Sequence, residues 1–171
     1  MKRGIIIGLA VLMTIILVSF ILNTYLEKQR NFGKYKTMND FSFSTLYNEV
    51  QNTSTLPKYK GYVVQIFSTE CGICKDEANE YHNHNDSMQN ILFIMLSIDS
   101  IAKIKEFALK QQLYNTDNFI FGHIEKKVIE ANFGSVIGPS LFIYNSEKEL
   151  ISKEVIANSA TLLNYFEKGE R

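Results

Sequence analysis

The chain has 171 residues, 18 Lys or Arg against 18 Asp or Glu, 46% hydrophobic residues and two cysteines. Balanced charge offers no basic field for nucleic acid, and two cysteines exclude a multi-bridge scaffold, so an apolar core must hold the fold. The roughly 130 residues of 39–171, past the apolar N-terminal run and the polar stretch after it, are ample for one core and hardly enough for two, and no repeat suggests a solenoid.

Met1-Lys2-Arg3 precedes an apolar run from Gly4 to Leu22, interrupted only by Thr14 and Ser19. At about 1.5 Å per residue the run makes roughly 28 Å of helix, which predicts a membrane anchor over 4–22. The flank Asn23-Thr24-Tyr25-Leu26-Glu27 lacks a small-x-small cleavage site, so the anchor is expected to be retained. Residues 1–3 are then a cytoplasmic N-terminus, 23–38 a polar stalk and 39–171 the folded domain. Lys28, Arg30, Lys34 and Lys36 after the run leave the charge bias ambiguous. The cysteines decide, because disulfide chemistry is sustained mainly outside the cytosol. The expected placement is a single pass through the cytoplasmic membrane, with the C-terminal domain facing the periplasm or the extracellular side at a formal charge of about −2.

Phe41-Ser42-Phe43-Ser44 alternates as a short edge strand, Leu46 to Val50 is weakly helical or loop, and Gln51 to Thr55 before Pro57 is a turn region. Tyr62-Val63-Val64-Gln65-Ile66-Phe67 is a nearly continuous apolar strand of the kind buried on both faces. Cys71 to about His84 is polar enough for an exposed helix. Ile91 to Ile98 is a second buried strand, and Asp99-Ser100 caps a helix from Ile101 to about Leu113 whose buried face is Ile101, Ile104, Phe107 and Ala108. Phe119-Ile120-Phe121 is a strand, and Ile124 to Phe133 a helix closed by Gly134. Leu141 to Tyr144 and Leu150 to Ile156 form a hairpin, and Ser159 to Glu167 is the last helix. Strands alternating with helices, followed by a hairpin, predict an α/β sandwich with a mixed central sheet.

The two cysteines stand together as Cys71-Gly72-Ile73-Cys74, between a buried strand and a helix. A helix N-terminus favours a thiolate, and two intervening residues let the second thiol close on the first. The pair could also be half a zinc site. If the segment is one helix, however, His82 lies some 12 Å along the axis from Cys74, too far for one tetrahedral metal. His84 and His123 are no better placed, and no metal is expected. An inert buried pair is disfavoured where the chain should surface: Cys71 is expected on the exposed first turn and Cys74 tucked below it. The exposed thiol would attack and the sheltered one resolve the mixed disulfide. Glu77, three residues after Cys74, shares its helical face; in a partly buried place it can take the resolving thiol's proton, and otherwise it is a solvated helix charge.

The run from Lys58 to Glu77, with its Lys60-Gly61-Tyr62-Val63-Val64 strand before the dithiol, resembles membrane-anchored thioredoxin-like proteins of the TlpA/ResA type. Ile137-Gly138-Pro139-Ser140-Leu141-Phe142-Ile143-Tyr144 resembles the later segment where that family carries a cis-proline. The likeness covers roughly Phe41 to Phe166, in order and spacing more than in identity. It implies a thioredoxin-like sandwich, with Cys71 as nucleophile, Cys74 as resolving thiol and Glu77 as the family's acidic residue. It further implies that Gly138 and Pro139, with Gly72 and Ile73, meet an extended partner strand, Pro139 following a cis bond. An ordinary trans-proline that starts a strand is the alternative. The chain departs from the pattern at Glu70, where an aromatic is usual, in Gly72-Ile73, and in lacking the proline after the family glutamate. A carboxylate beside Cys71 opposes thiolate formation, so the direction of electron flow stays open.

The expectation is a membrane-tethered thiol–disulfide oxidoreductase that reduces disulfides of extracytoplasmic proteins and is recycled by a membrane electron donor. No cofactor is needed: no glycine-rich phosphate loop follows a strand, and Lys75 stands where a haem site needs His. A thiol peroxidase is weaker, since Thr69 lies two residues before Cys71 and not three. A non-enzymatic assembly module of the same fold is the other alternative.

Overall fold

The computed structural model describes residues 2–136 and 138–168, except for the side chains of 2–6, 8–11, 27–32 and 168. Two compact units result, residues 1–33 and 34–171. The first is the greater part of helix α1 (Lys2–Tyr35), which runs without a break through the positions expected to divide anchor from stalk.

Among the described residues no helix is long and apolar enough to cross a membrane. Of the expected 4–22 span, the side chains of 4–6 and 8–11 lie outside the described residues. The transmembrane helix expected ahead of the sandwich is therefore corrected. With it go the membrane tether, the single-pass localisation and the membrane-anchored partnership with its electron donor.

Residues 34–171 build one seven-stranded sheet in the order β2-β1-β5-β4-β3-β6-β7. Its strands are β1 (Ser42–Thr45), β2 (Val50–Asn52), β3 (Gly61–Ile66), β4 (Ile91–Ser97), β5 (Phe119–His123), β6 (Ser140–Asn145) and β7 (Leu150–Glu154). β3, β4 and β5 run parallel, and β6, β7, β1 and β2 are antiparallel to their neighbours, so the sheet is mixed as expected. β3 and β4 are buried along their whole length, in keeping with their unbroken apolar runs.

Helices α2 (Gly72–Asn83), α3 (Ile101–Lys110) and α5 (Ser159–Lys168) pack on one face, where Tyr81, Ile104, Phe107 and Leu162 meet Val63, Phe93, Met95 and Ile143. Helix α4 (Lys126–Phe133) covers the other, where Ile129 and Phe133 join Tyr35, Phe41, Val64 and Phe142. Tyr35 and Met38 are thus core residues, although they fall in the expected stalk.

Three local expectations change. Leu46 to Glu49 is the turn of a β1–β2 hairpin, with Asn48 at φ 61°, Val50 already begins β2, and the expected turn region Gln51–Thr55 opens within β2; β2, and not β1, is therefore the edge. Asparagine tolerates the left-handed region, which permits so tight a reversal. Helix α3 stops at Lys110, because Gln112 has φ 57° and turns the chain toward β5. Gly134, at φ 75°, closes α4 where expected.

Candidate active site

The site lies at the carboxyl ends of β3 and β4, where an open α/β sheet leaves room for a ligand. β3 delivers the chain to Ser68-Thr69-Glu70, and Cys71 becomes the N-cap of α2 with an extended backbone (φ −74°, ψ 119°). Its Sγ accepts a hydrogen bond from the Cys74 backbone N–H at 3.3 Å. Both cysteines are free thiols, Cys71 half-buried and Cys74 with no exposure. Burial, reinforced by the neighbouring Cys71 thiol, pushes Cys74 up to about 12.

The face of α2 that carries Cys74 continues with Glu77, Ala78 and Tyr81, all buried. Glu77 is only 5% exposed, which rules out a solvated helix charge. Its Oε2 accepts from Gln65 Nε2 at 2.8 Å and its Oε1 from the Ala157 N–H at 3.0 Å. Burial raises its carboxyl above the ordinary range, and these two donors pull in the opposite direction. Tyr81 donates to the Ala157 carbonyl at 3.1 Å and Ser159 to Glu80 at 2.8 Å, so α2 is pinned to the segment that leads into α5.

A cleft of about 600 Å³ opens beside Cys71, walled by Phe67, Ile98, Ile129, Val136 and the Gly138-Pro139 backbone, with Lys126 and Glu130 also lining it. The structure therefore brings Gly138 and Pro139 to the dithiol across some 65 residues of chain. Gly72 and Ile73 sit exposed on the first turn of α2 and are not among the residues lining the cleft. Among the described residues no peptide bond is cis, so the expected cis-proline is corrected: the turn comes instead from Gly138 at φ 73°. Glycine meets no steric penalty in that region, and Pro139 follows it into β6. Ile137 of the expected segment lies outside the described residues.

Asp99, expected to cap α3 with Ser100, does something else. Its Oδ2 accepts from the Thr69 N–H at 2.8 Å, the Thr69 hydroxyl at 2.9 Å and the Ser97 hydroxyl at 3.1 Å. These bonds, led by the Thr69 N–H, hold the Asp99 carboxyl below the usual carboxylate range and clamp the turn that presents Cys71. Thr69 is consequently occupied. Ser100 takes the N-cap position of α3 without a side-chain capping bond. Glu70, next to Cys71, points into solvent and pairs with Lys103 at 3.8 Å.

Neither Gln65 nor Asp99 was among the expected site residues, Asp99 being expected only as a helix cap. The available signals were a carboxylate at the carboxyl end of a central parallel strand and an amide inside an apolar run buried on both faces.

The model of the AhpC/TSA family matches residues 36–153. No curated protein matches the chain significantly. Among solved structures, a secreted Mycobacterium tuberculosis disulfide oxidoreductase homologous to E. coli DsbE superposes with a TM-score of 0.63 at 16% identity, over 80% of this chain and 98% of that one. A thioredoxin-family thiol:disulfide interchange protein from Chlorobium tepidum gives 0.63 at 17% identity, over 78% and 94%. A peroxiredoxin-like protein from Aquifex aeolicus gives 0.62 at 12% identity, over 78% and 85%. At these identities the superpositions show the fold alone. The family match replaces the membrane-anchored TlpA/ResA type as the assignment.

Proposed function

The chain belongs to the AhpC/TSA family and is a thiol–disulfide oxidoreductase of thioredoxin-like fold, and we propose that Cys71 and Cys74 carry out the exchange with a partner seated in the adjoining cleft. The observation that carries this is the unequal burial of the two thiols: Cys71 at the rim of a 600 Å³ cleft, Cys74 fully buried one turn below.

The Cys71 thiolate attacks one sulfur of the partner disulfide. A Cys71–partner bond forms, the partner S–S bond breaks, and the other partner sulfur leaves as a thiolate. Cys74 then gives its proton to the Glu77 carboxylate and attacks Cys71 Sγ. The Cys71–Cys74 bond forms, the mixed disulfide breaks, and the second partner sulfur leaves. Two electrons pass from the dithiol to the partner, and run backwards the same steps oxidise a partner dithiol. Apolar walls and the Gly138-Pro139 backbone support an extended peptide beside Cys71, with Gly72 and Ile73 at its edge.

Cys74→Ser should trap Cys71 in a mixed disulfide with a peptide disulfide, and in the reduced wild type Cys71 should be alkylated before Cys74. The opposite order of alkylation would sink the assignment. Equilibration with dithiothreitol sets the direction, about −250 mV or below fitting a reductant and near −120 mV an oxidant. Turnover of hydrogen peroxide faster than disulfide exchange would move the site to peroxidase chemistry.

A further inference from the structure

Gln65 is an amide near the carboxyl end of the interior strand β3, with no exposure at all. Along β3 it alternates onto the face of Val63 and Phe67, toward α2 and Cys74. Its Nε2 donates to Glu77 Oε2 at 2.8 Å, while its Oε1 has no hydrogen-bond partner among the described residues. An orphaned buried acceptor costs about 1–3 kcal/mol, so a leucine here would be the simpler choice for stability alone.

The amide offers what leucine cannot, a donor for a carboxylate and, turned over, an acceptor for a carboxylic acid, with its other end unpartnered in either state. When Glu77 carries a proton, its O–H needs an acceptor, and a carboxamide turned through about 180° presents Oε1 where Nε2 stood. The Ala157 N–H serves Glu77 Oε1 in either state. A carboxylate therefore meets a donor, and a neutral carboxyl meets an acceptor, with no movement of backbone.

We propose that Gln65 is a positioning residue that reverses its carboxamide as Glu77 gains and loses a proton, so that Glu77 can act as proton acceptor without leaving its buried place. The inference rests on Glu77 accepting the Cys74 proton, as above. On resolution the proton moves from Cys74 Sγ to the Glu77 carboxylate, and it returns when the Cys71–Cys74 bond is reduced. The titratable groups that face Glu77 are Cys74 and Tyr81 of its own helix. β3 and the segment before α5 face it with the Gln65 amide and the Ala157 N–H.

The test uses the full reduced chain and 5,5′-dithiobis(2-nitrobenzoate), whose first thiolate is released by Cys71 attack and whose second is released by Cys74 resolution. The resolution rate is followed from pH 5 to 9. Wild type should show an acid limb, Glu77→Gln should remove it, and Gln65→Leu should move its midpoint up by about one pH unit, about tenfold slower on the limb. The double variant should behave as Glu77→Gln alone. A wild-type midpoint in Gln65→Leu, with the limb still lost in Glu77→Gln, overturns the role of Gln65 and leaves that of Glu77 standing. A limb that survives Glu77→Gln overturns both. Should Gln65→Leu fail to fold, NMR of wild type decides: the Gln65 side-chain amide signals must titrate with the Glu77 carboxyl carbon, and unmoved signals refute the reversal.

Discussion

Two carboxylates border the dithiol, Asp99 at the rim of the cleft and Glu77 beneath the helix, and the same functional group is driven opposite ways. Asp99 is half-buried and takes three short bonds on one oxygen, so its charged form is the favoured one. Glu77 has two donors, but burial outweighs them and holds its carboxyl above the ordinary range. A carboxyl's character thus follows the balance between lost water and gained donors. A fixed charge suits a clamp on a turn. A carboxyl that can change charge suits the neighbourhood of a thiol that must lose its proton.

The strongest challenge to this contrast is to remove the thiol it serves. Cys71→Ser should abolish disulfide exchange while leaving the thermal unfolding midpoint within a few degrees, read by a peptide-disulfide assay and calorimetry; retained exchange would detach both carboxylates from the chemistry.

Glu77→Gln should slow resolution about 100-fold, within the usual range for losing a general base. The same change should stabilise the fold at pH 8 by about 1 kcal/mol, because a neutral amide does not carry the cost of a charged carboxylate held in a buried place. The sign follows from linkage. With the folded value above the unfolded one, Glu77's contribution is full below the unfolded carboxylate value and is lost as pH rises through the folded one. The advantage of Glu77→Gln in urea unfolding should accordingly fade toward pH 4.

Asp99→Asn probes the other carboxylate and should cost about 2 kcal/mol at pH 7, the range for hydrogen bonds to a charged group. Here the folded value lies below the unfolded one, so the contribution is present above the unfolded value and lost as pH falls through the folded one. The gap to wild type should close in acid, opposite to Glu77→Gln. Parallel pH trends in the two variants would break the contrast. Smallest is Lys103→Ala: its pairing with exposed Glu70 should contribute less than about 0.5 kcal/mol to urea stability.

Much of the fold was legible because its period and composition are local. The buried strands β3 and β4, the helix beginning at the dithiol, Gly134 as a helix stop and the β6–β7 hairpin all follow from apolar runs and turn residues. The paired thiols and their unequal exposure were legible too, since a strand-to-helix junction orients both. The apolar N-terminal run misled, because composition alone suggested a span that no helix among the described residues makes.

By itself, then, the sequence determined an α/β sandwich with a mixed sheet and a dithiol at a helix N-terminus. Only the tertiary structure decided what surrounds the dithiol. Gln65 and Ala157 reach Glu77 from positions 12 residues before it and 80 after it, and Asp99 reaches Thr69 across 30. Burial and donor count set the charge of a carboxyl, and both are sums over neighbours that the chain brings together only when folded.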